Sequence, residues 1–412
     1  MTGFSRKWTI LAAAGILLAT VTTTARAQDA GPIRLGLIDI YSGGVAFIAE
    51  SIRTGFEIAL QEANDAGGVN GRMFELTTAD MGGSVEKAVT EARRMILEQD
   101  IRYVTVGIHS GAAVAVGSLA KEYKALVVGG FATSKRLTGS EGHRFVARAN
   151  LSTVEIGRVM AEFIKDRPDI KSVATIAPDY EYGQHFAADF VAHLETVRPD
   201  VQVIRQEWPK FGATDFAPHV TALQARPADM VVAGVFGGDL IKFLKSAQDF
   251  GLFDGDTELF VHGLDIGKLG SMEALLPENA FGTLWYPFYA LDSAKSREIE
   301  QEASRRMGTY PTGSVPVGYV AGKMISEAII LAGGAEDVEL VVDALQNVQF
   351  DGPTGAVMIR GCDGMALYDF YVGRVTRDPG LPDGIGVDDL RTYNVKSIAR
   401  SCEEIAEARK KS

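Results

Sequence analysis

Short apolar segments typical of strands alternate with amphipathic, helix-like segments along most of this 412-residue chain. The first strand-like run, residues 33–38, is followed by apolar residues that recur at helical spacing from Ile48 to Ala63. The same order continues through two more strand-like runs and begins again after Asn150. This alternation predicts an α/β protein in which helices cover both faces of a parallel sheet. Because the alternation has two similar halves, we expect two doubly wound, Rossmann-like lobes.

The N-terminal segment has the features of a secretory signal peptide. Arg6 and Lys7 precede an apolar run over residues 8–21, and an Ala-x-Ala sequence at 25–27 supplies the small residues that signal peptidase reads. A membrane anchor is the alternative, although the run is shorter than the ~20 residues needed to span a bilayer. We therefore expect residues 1–27 to be removed and the mature protein to work in an oxidising space outside the cytoplasm.

Composition and motifs argue against several classes of protein. The formal net charge is −12, so the chain lacks the basic balance that nucleic-acid binding requires. Its six histidines show no metal-ligand spacing, and two cysteines are too few for a zinc scaffold. The chain has no G-x-S-x-G, H-E-x-x-H or G-x-x-x-x-G-K-[ST] motif. We expect a binding protein without a cofactor, and a secreted α/β enzyme is the weaker alternative.

Six short motifs follow one another along the mature chain. They are IALQEANDAGGVNGR at 58–72, VGIHSGAA at 106–113, FATS at 131–134, DYEYG at 179–183, QDFGL at 248–252 and GPTG at 352–355. The ordered series resembles the type I periplasmic binding proteins, most closely the leucine/isoleucine/valine-binding group that serves ABC importers. This resemblance implies two lobes joined by three hinge crossovers, with a ligand cleft between them.

The resemblance also implies where the lobes begin and end. The three crossovers are expected near 145–148, 281–285 and 350–355. The expected bounds are 33–146 and 283–352 for the first lobe, and 147–282 and 353–412 for the second. Ligands of open α/β sheets bind outside the carboxyl ends of the strands, so we expect that edge of each lobe to face the cleft.

In the first lobe, the expected site surrounds Ser110, which follows a strand and opens a helix. Its hydroxyl, together with the backbone amides of Gly111 and Ala112, forms a helix N-terminus that favours a carboxylate. Thr133 matches a position whose hydroxyl contacts the ligand in the family resembled, and Ala132 would contribute only its backbone. A plain N-capping serine and an ordinary turn threonine are the alternatives.

In the second lobe, the resemblance implies that Tyr182, Phe236 and Asp265 face the ligand. Phe236 stands where the amino-acid binders resembled here carry a tyrosine, so the wall is expected to be more apolar. Asp265 aligns, after a one-residue shift, with the acidic residue that pairs with an α-ammonium group. Phe47 and Ile48 occupy the loop that carries a bulky wall residue in the family. A core tyrosine and a solvated loop aspartate are the alternative roles for Tyr182 and Asp265.

Two further features are an aromatic group near the expected cleft and a pair of cysteines. His109 and the aromatic segment Trp285–Tyr289 either line the cleft or pack elsewhere. Cys362 and Cys402 are expected to pair, because two cysteines in an exported chain tend to form a disulfide. Such a disulfide would clamp the C-terminal tail onto the second lobe.

Together these features predict a solute receptor that binds a small carboxylate-bearing ligand by hinge closure and then docks on an ABC permease. A branched-chain or other apolar amino acid is the simplest ligand. An aromatic carboxylate or a small amide is the first alternative, and a sensory protein that signals to a membrane partner is another. We expect a monomer with no nucleic-acid partner.

Overall fold

The first large sheet is built by the N-terminal part of the chain. The computed structural model describes residues 1–3 and 31–411, so residues 4–27 of the expected signal peptide lie outside the described residues. The elements of this first part are β1 (Ile33–Asp39), α1 (Ala46–Asp65), β2 (Phe74–Asp80), α2 (Val85–Glu98), β3 (Tyr103–Val106), α3 (Ser110–Tyr123), β4 (Leu126–Gly129) and β5 (Val146–Arg148). The strand order is β2-β1-β3-β4-β5, all parallel. Strands β3 and β4 are buried throughout, as a sheet covered on both faces requires.

The second large sheet is built by the middle of the chain and completed by two later strands. The middle elements are α4 (Thr153–Lys165), β6 (Ser172–Ile176), α5 (Glu181–Val197), β7 (Gln202–Glu207), α6 (Ala217–Gln224), β8 (Met230–Ala233), α7 (Gly237–Phe250), β9 (Glu258–Val261), α8 (Leu269–Met272) and β10 (Ala280–Leu284). The later elements are α9 (Ala294–Met307), α10 (Ser314–Ala332), α11 (Val338–Leu345), β11 (Gln349–Gly352), β12 (Gly355–Ile359), β13 (Ala366–Leu367), β14 (Phe370–Arg377), β15 (Ile385–Tyr393), α12 (Val395–Ile398) and α13 (Cys402–Lys410). The strand order is β15-β14-β10-β9-β8-β6-β7, with β14 and β15 antiparallel at one edge.

The parallel strands of the two sheets follow the same winding. In each sheet the first strand lies between the second and the third, so strand order reverses between β1 and β3 and again between β6 and β8. We call the first sheet with α1 to α3 the first lobe, and the second sheet with α4 to α8 the second lobe. Both lobes belong to one compact unit. The predicted α/β fold of two doubly wound lobes is confirmed.

Helix α10 returns to the first lobe and packs along α1 at close range. A Cβ atom added to Gly55 would lie 2.0 Å from the carbonyl oxygen of Val315, and one added to Gly318 would lie 2.0 Å from that of Ile52. Only glycine permits this approach of two backbones. Among the described residues, α10 is also the helix long and apolar enough to cross a membrane, but 72% of that apolar window is buried inside the protein. Its composition therefore fits a core helix.

The connections between the two lobes meet at one buried amide. The Oδ1 atom of Asn150, just after β5, accepts a hydrogen bond from Trp285 Nε1 at 2.7 Å and another from the Tyr368 hydroxyl at 3.1 Å. Trp285 follows β10 and Tyr368 follows β13, so this side chain ties three connections together. The third crossover was expected near 350–355, whereas the chain enters the second sheet at Phe370.

The small sheet formed by β11, β12 and β13 meets the edge of the first large sheet. Met365 forms a bridge with Arg148 of β5, and the Arg148 N–H donates to the Gly364 carbonyl at 3.0 Å. Strands β14 and β15, in contrast, belong to the second large sheet. The predicted lobe bounds, with all of 353–412 in the second lobe, stay a prediction.

The C-terminal tail is fastened to the body of the protein. Cys362 and Cys402 form a disulfide with their Cα atoms 5.9 Å apart, and 40 positions separate them in sequence. Closing a loop of that length stabilises a fold by ~4 kcal/mol in the loop-entropy model. The buried Arg400 next to α13 donates its backbone N–H to Glu155 Oε1 of α4 at 3.1 Å. The tail is therefore held by a covalent bond and by a buried polar contact with the second lobe.

Candidate ligand-binding cleft

A cavity of about 420 Å³ lies at the carboxyl ends of the strands of both sheets. The first-lobe side of its wall includes Gly44, Phe47, Ile48, Ile108, Phe131 and Thr133. The second-lobe side includes Tyr182, Phe236, Leu240, Ile241, His262, Leu264, Asp265, Lys268 and Met272, and Trp285 and Ser314 extend the wall. Small-molecule sites have volumes of this order, and ligands of doubly wound sheets bind at this edge.

Aromatic rings form much of the cavity wall. Phe131 packs against Trp285 with ring centroids 4.6 Å apart, and Phe236 meets Tyr182 edge-on at 5.6 Å. Within the aromatic segment Trp285–Tyr289, it is Trp285 that reaches the wall. These rings bury a large apolar area and leave few polar groups, so the wall suits the apolar or aromatic body of a ligand.

Asp265 brings a carboxyl group to the cavity. It lies in the turn after β9, and its Oδ1 accepts the backbone N–H groups of Gly267 and Gly313, each at 3.2 Å. Within the described part of the chain, its Oδ2 has no hydrogen-bond partner. Burial raises the pKa of Asp265 to about 7, against the opposing effect of the two N–H groups and of Lys268. A cation supplied by a ligand would stabilise the ionised form of such a buried carboxyl group.

Lys268 lies in the same turn and also lines the cavity. Its Nζ atom is 5.4 Å from the centroid of the Phe47 ring, a cation–π contact between the second and first lobes. Among the described residues Lys268 forms no ion pair with a carboxylate, although its charge acts to lower the pKa of Asp265. Lys268 was not among the residues expected from the sequence, although its place three residues after Asp265 puts it in the same turn.

Tyr182 and Thr133 line the cavity from opposite lobes. The Tyr182 side chain is 5% exposed, and its hydroxyl donates to the Gly234 carbonyl at 3.0 Å. The Tyr182 ring, rather than its hydroxyl, is therefore the part available to a ligand. The Thr133 hydroxyl makes no hydrogen bond with the described residues, while its backbone N–H donates to Ser110 Oγ at 3.2 Å.

Four expected site residues are not part of the cavity wall, namely Ser110, Gly111, Ala112 and Ala132. The buried Ser110 Oγ accepts the backbone N–H groups of Thr133 and Ser134, both at 3.2 Å. The Ala112 N–H donates to Nδ1 of His109 at 3.1 Å, which makes His109 the N-cap of α3. The Ser110 hydroxyl oxygen and the Ala112 N–H are therefore bonded within the protein. A ligand-binding role for the four residues stays a prediction.

Two histidines lie near the cleft in different settings. His109 packs across the lobes against Tyr180, with ring centroids 5.4 Å apart, and burial lowers its pKa. His262 lines the cavity, with Nδ1 2.9 Å from Thr283 Oγ1 and its ring centroid 4.9 Å from that of Trp285. Burial lowers the pKa of His262 to about 3, so its imidazole is neutral. The sequence predicted no role for His262, although its position directly after β9 was a signal that it could reach the cleft.

A family model described as periplasmic binding protein matches residues 32–380. This chain belongs to the periplasmic binding protein family. Membership implies a periplasmic location and the binding of a solute. Among the described residues, there is no group of three or more His, Cys, Asp or Glu side chains placed to hold a metal ion.

Curated relatives have names that refer to branched-chain amino acids. The Leu/Ile/Val-binding protein homolog 6 of Brucella melitensis is 26% identical over 354 residues, which cover 83% of this chain and 87% of the relative. The leucine-, isoleucine-, valine-, threonine- and alanine-binding protein of Pseudomonas aeruginosa is 24% identical over 345 residues, 83% of this chain and 90% of the relative. These relatives confirm the family that the sequence motifs resemble.

Solved structures share the fold over most of their length. A solute binding protein of an ABC transporter from Rhodopseudomonas palustris BisB5, in complex with 3,4-dihydroxybenzoic acid, has a TM-score of 0.79 at 19% identity, covering 88% of this chain and 98% of its own. The leucine-, isoleucine-, valine-, threonine- and alanine-binding protein from Brucella ovis, in its closed conformation, has a TM-score of 0.78 at 21% identity, covering 90% and 98%. At these identities the likeness shows the fold.

Proposed function

We propose that this protein is the solute receptor of an ABC importer and that its cleft traps a small ligand with an ammonium group and an apolar body. A branched-chain or other apolar α-amino acid is the simplest such ligand. The observation that carries the proposal is Asp265, whose Oδ2 is unpartnered within the described chain and which lines a largely aromatic cavity. The names of the curated relatives support the same ligand class.

The ammonium group of the ligand pairs with Asp265. A charge-assisted hydrogen bond of this kind contributes about 1.5–3 kcal/mol, and it forms away from bulk water, where charges attract more strongly. The bound cation favours the ionised carboxylate, so binding lowers the raised pKa of Asp265. The apolar side chain adds roughly 25 cal/mol for each Å² that the aromatic wall removes from water.

The carboxylate of an amino acid meets a different pair of groups. In the cavity wall, the Thr133 hydroxyl and the Lys268 ammonium group have no hydrogen-bond partner or counter-ion among the described residues. A hydroxyl donor and a cation are the groups that suit a carboxylate. The two ligand charges are then matched by groups from both lobes.

Closure of the lobes completes the site. Thr133 belongs to the first lobe, whereas Asp265 and Phe236 belong to the second, so a ligand touches all of them only when the cleft is shut. The ligand shifts the equilibrium toward the closed state by its higher affinity for that state. A permease that recognises closed receptors then receives loaded ones.

An aromatic carboxylate is the second candidate ligand, favoured by the many rings and by Lys268. In that case Lys268 is the counter-ion, and Asp265 binds in its protonated form, which a pKa of about 7 allows. An amino acid therefore depends on an ionised Asp265, whereas an aromatic carboxylate depends on Lys268 and on a protonated Asp265.

Calorimetric titration with L-leucine, L-phenylalanine and benzoate tests the proposal. For an amino-acid receptor, we expect Asp265→Asn to weaken binding by about 10- to 100-fold, because a charge-assisted bond is lost. For an aromatic-acid receptor, Lys268→Met weakens benzoate binding and Asp265→Asn leaves it unchanged.

Asp256→Asn is the matched control. Asp256 is exposed in the loop before β9, and its substitution removes the same negative charge as Asp265→Asn does. It is expected to bind like the wild type. If neither Asp265→Asn nor Lys268→Met alters the affinity for any ligand bound by the wild type, the proposed recognition is wrong.

A further inference from the structure

A neutral imidazole lines the cavity at the carboxyl end of β9. His262 is 3% exposed, and its ring stacks on that of Phe186 at 5.3 Å and meets that of Trp285 at a steep angle at 4.9 Å. These neighbours hold the plane of the imidazole. Its Nδ1 is 2.9 Å from Thr283 Oγ1, whereas its Nε2 has no hydrogen-bond partner among the described residues. Since His262 lines the cavity, a bound ligand can supply the missing partner.

The bonds of Thr283 decide which nitrogen of the ring carries the proton. Thr283 is fully buried in β10, and its Oγ1 accepts the backbone N–H of Gly263 at 2.8 Å. If Nδ1 of His262 also donated to Oγ1, the hydroxyl proton of Thr283 would have no acceptor among the described residues. A buried donor without an acceptor is destabilising, so the hydroxyl donates to Nδ1. The proton of the neutral ring therefore lies on Nε2.

This tautomer gives the cavity wall a hydrogen-bond donor. The two nitrogens lie on opposite sides of the imidazole ring, so the Nε2–H is directed away from Thr283. A ligand that brings an acceptor to this N–H replaces the water that closure expels. A ligand without an acceptor leaves the N–H unpaired in an apolar setting, which weakens its binding.

We propose that His262 selects ligands with a hydroxyl oxygen on the apolar body, by donating its Nε2–H to that oxygen. The inference rests on the proposed function, because it adds a third contact to the same ligand. The ammonium group meets Asp265, and the carboxylate meets Thr133 and Lys268. The wall beside His262 is aromatic, so the hydroxyl is expected on a ring that packs against Trp285.

Calorimetric titration of the mature protein with matched ligands tests this contact. L-Tyrosine and L-phenylalanine differ by one hydroxyl group. The compound p-amino-L-phenylalanine has nearly the shape of tyrosine, but its nitrogen is a poor hydrogen-bond acceptor. We expect tyrosine to bind about 10- to 100-fold more tightly than phenylalanine, and the amino compound to bind like phenylalanine. For an aromatic-acid receptor, p-hydroxybenzoate and benzoate form the equivalent pair.

Two substitutions separate the donor from the rest of the ring. An asparagine amide reaches the position of Nδ1 and no farther, so His262→Asn keeps an acceptor for Thr283 and loses the donor. Its preference for tyrosine should fall to about 3-fold or less. A glutamine amide reaches the position of Nε2, so His262→Gln should keep most of the preference. His193→Asn is the matched control, because His193 pairs with Glu162 outside the cavity wall, and it should bind both ligands like the wild type.

NMR spectroscopy of the ligand-free, nitrogen-labelled protein observes the tautomer directly. Correlations between the ring protons and the ring nitrogens show which nitrogen is protonated, and the signals lost in His262→Gln belong to His262. We expect a protonated Nε2 and a bare Nδ1. Burial lowers the pKa of His262 to about 3, so this pattern should not change between about pH 5 and pH 8. Tyrosine should move the Nε2–H signal downfield, and phenylalanine should not.

The contact is disproved if the hydroxylated and plain ligands bind equally, if His262→Asn keeps the preference, or if Nδ1 carries the proton. The ligand comparison needs no variant, so it decides the matter if circular dichroism shows that His262→Asn is unfolded. Equal binding of the pair, with Asp265→Asn still weakening affinity, removes the role of His262 and leaves the proposed function in place. A preference that depends on His262, with no effect of Asp265→Asn or Lys268→Met, leaves the contact in place and removes the proposed recognition.

Discussion

The cleft has two polar positions that differ in how many of their polar atoms form hydrogen bonds within the protein. At the N-terminus of α3, Ser110 accepts two backbone N–H groups and His109 accepts a third. At Asp265, one carboxyl oxygen is bonded and the other has no partner among the described residues. An oxygen that already accepts two buried N–H groups contributes to stability, whereas a carboxyl oxygen without a partner is available to a ligand that offsets its desolvation.

Among changes at the N-terminus of α3, replacing Ser110 with alanine should have the largest effect on stability. The buried N–H groups of Thr133 and Ser134 lose their acceptor, and each such loss costs about 1–3 kcal/mol. We expect the free energy of unfolding in urea to fall by about 2–4 kcal/mol. Ser118→Ala, on an exposed site of the same helix, should change it by less than about 0.5 kcal/mol. A variant that keeps its stability but loses ligand affinity would show that Ser110 binds the ligand directly.

The pH dependence of ligand binding tests the role of Asp265. The pKa of Asp265 is about 7 in the ligand-free protein and falls when a cation binds, so binding of an ammonium group releases a proton. Affinity for an amino acid should therefore rise by about 10- to 100-fold between about pH 5 and pH 7 and then level off. Calorimetry in buffers of different ionisation enthalpy measures both the affinity and the protons released.

Affinity, rather than stability, is the readout for this pH test because a second carboxyl group titrates in the same range. Burial raises the pKa of Asp39 to about 7 as well. For both carboxyl groups the folded-state pKa exceeds the unfolded value, so their contribution to stability is lost as pH rises from about 4 to 7. Asp265→Asn should remove the pH dependence of binding, and a wild-type affinity that is flat from pH 5 to 7 would contradict the assignment.

The smallest expected effect comes from the N-cap of α3. His109→Ala leaves the Ala112 N–H without its acceptor and should lower the free energy of unfolding by about 1 kcal/mol. His109→Asn keeps a side-chain acceptor at the N-cap and should retain most of that stability. Thermal unfolding of the two variants measures the difference. An equal loss in both would indicate that packing against Tyr180, rather than capping, is what His109 contributes.

Much of the fold and part of the cleft could be predicted because both depend on local patterns. The apolar runs of β3 and β4 and the apolar stripe of α1 are each specified by neighbouring residues. Thr133, Phe236 and Asp265 all follow strand ends, and in an open parallel sheet those ends share one edge. Residues at that edge were therefore good candidates for the cavity wall before any distance was known.

Tertiary contacts decided which polar atoms of these candidates are bonded within the protein. Ser110 and Asp265 have the same kind of position in the sequence, yet Ser110 is bonded to the following loop and Asp265 keeps an open oxygen. The Glu181 carboxylate reaches Ser134 across 47 positions of sequence, a contact that no local pattern encodes.

The sequence by itself determined the alternation of elements, the family and the edge of each sheet that faces the cavity, since these depend on residues that are close along the chain. Only the tertiary structure decided that His109 caps α3, that His262 and Lys268 line the cavity and that the chain enters the second sheet at Phe370. The physical reason is that a polar group is free or satisfied according to partners from distant segments, and their distances exist only in the folded protein.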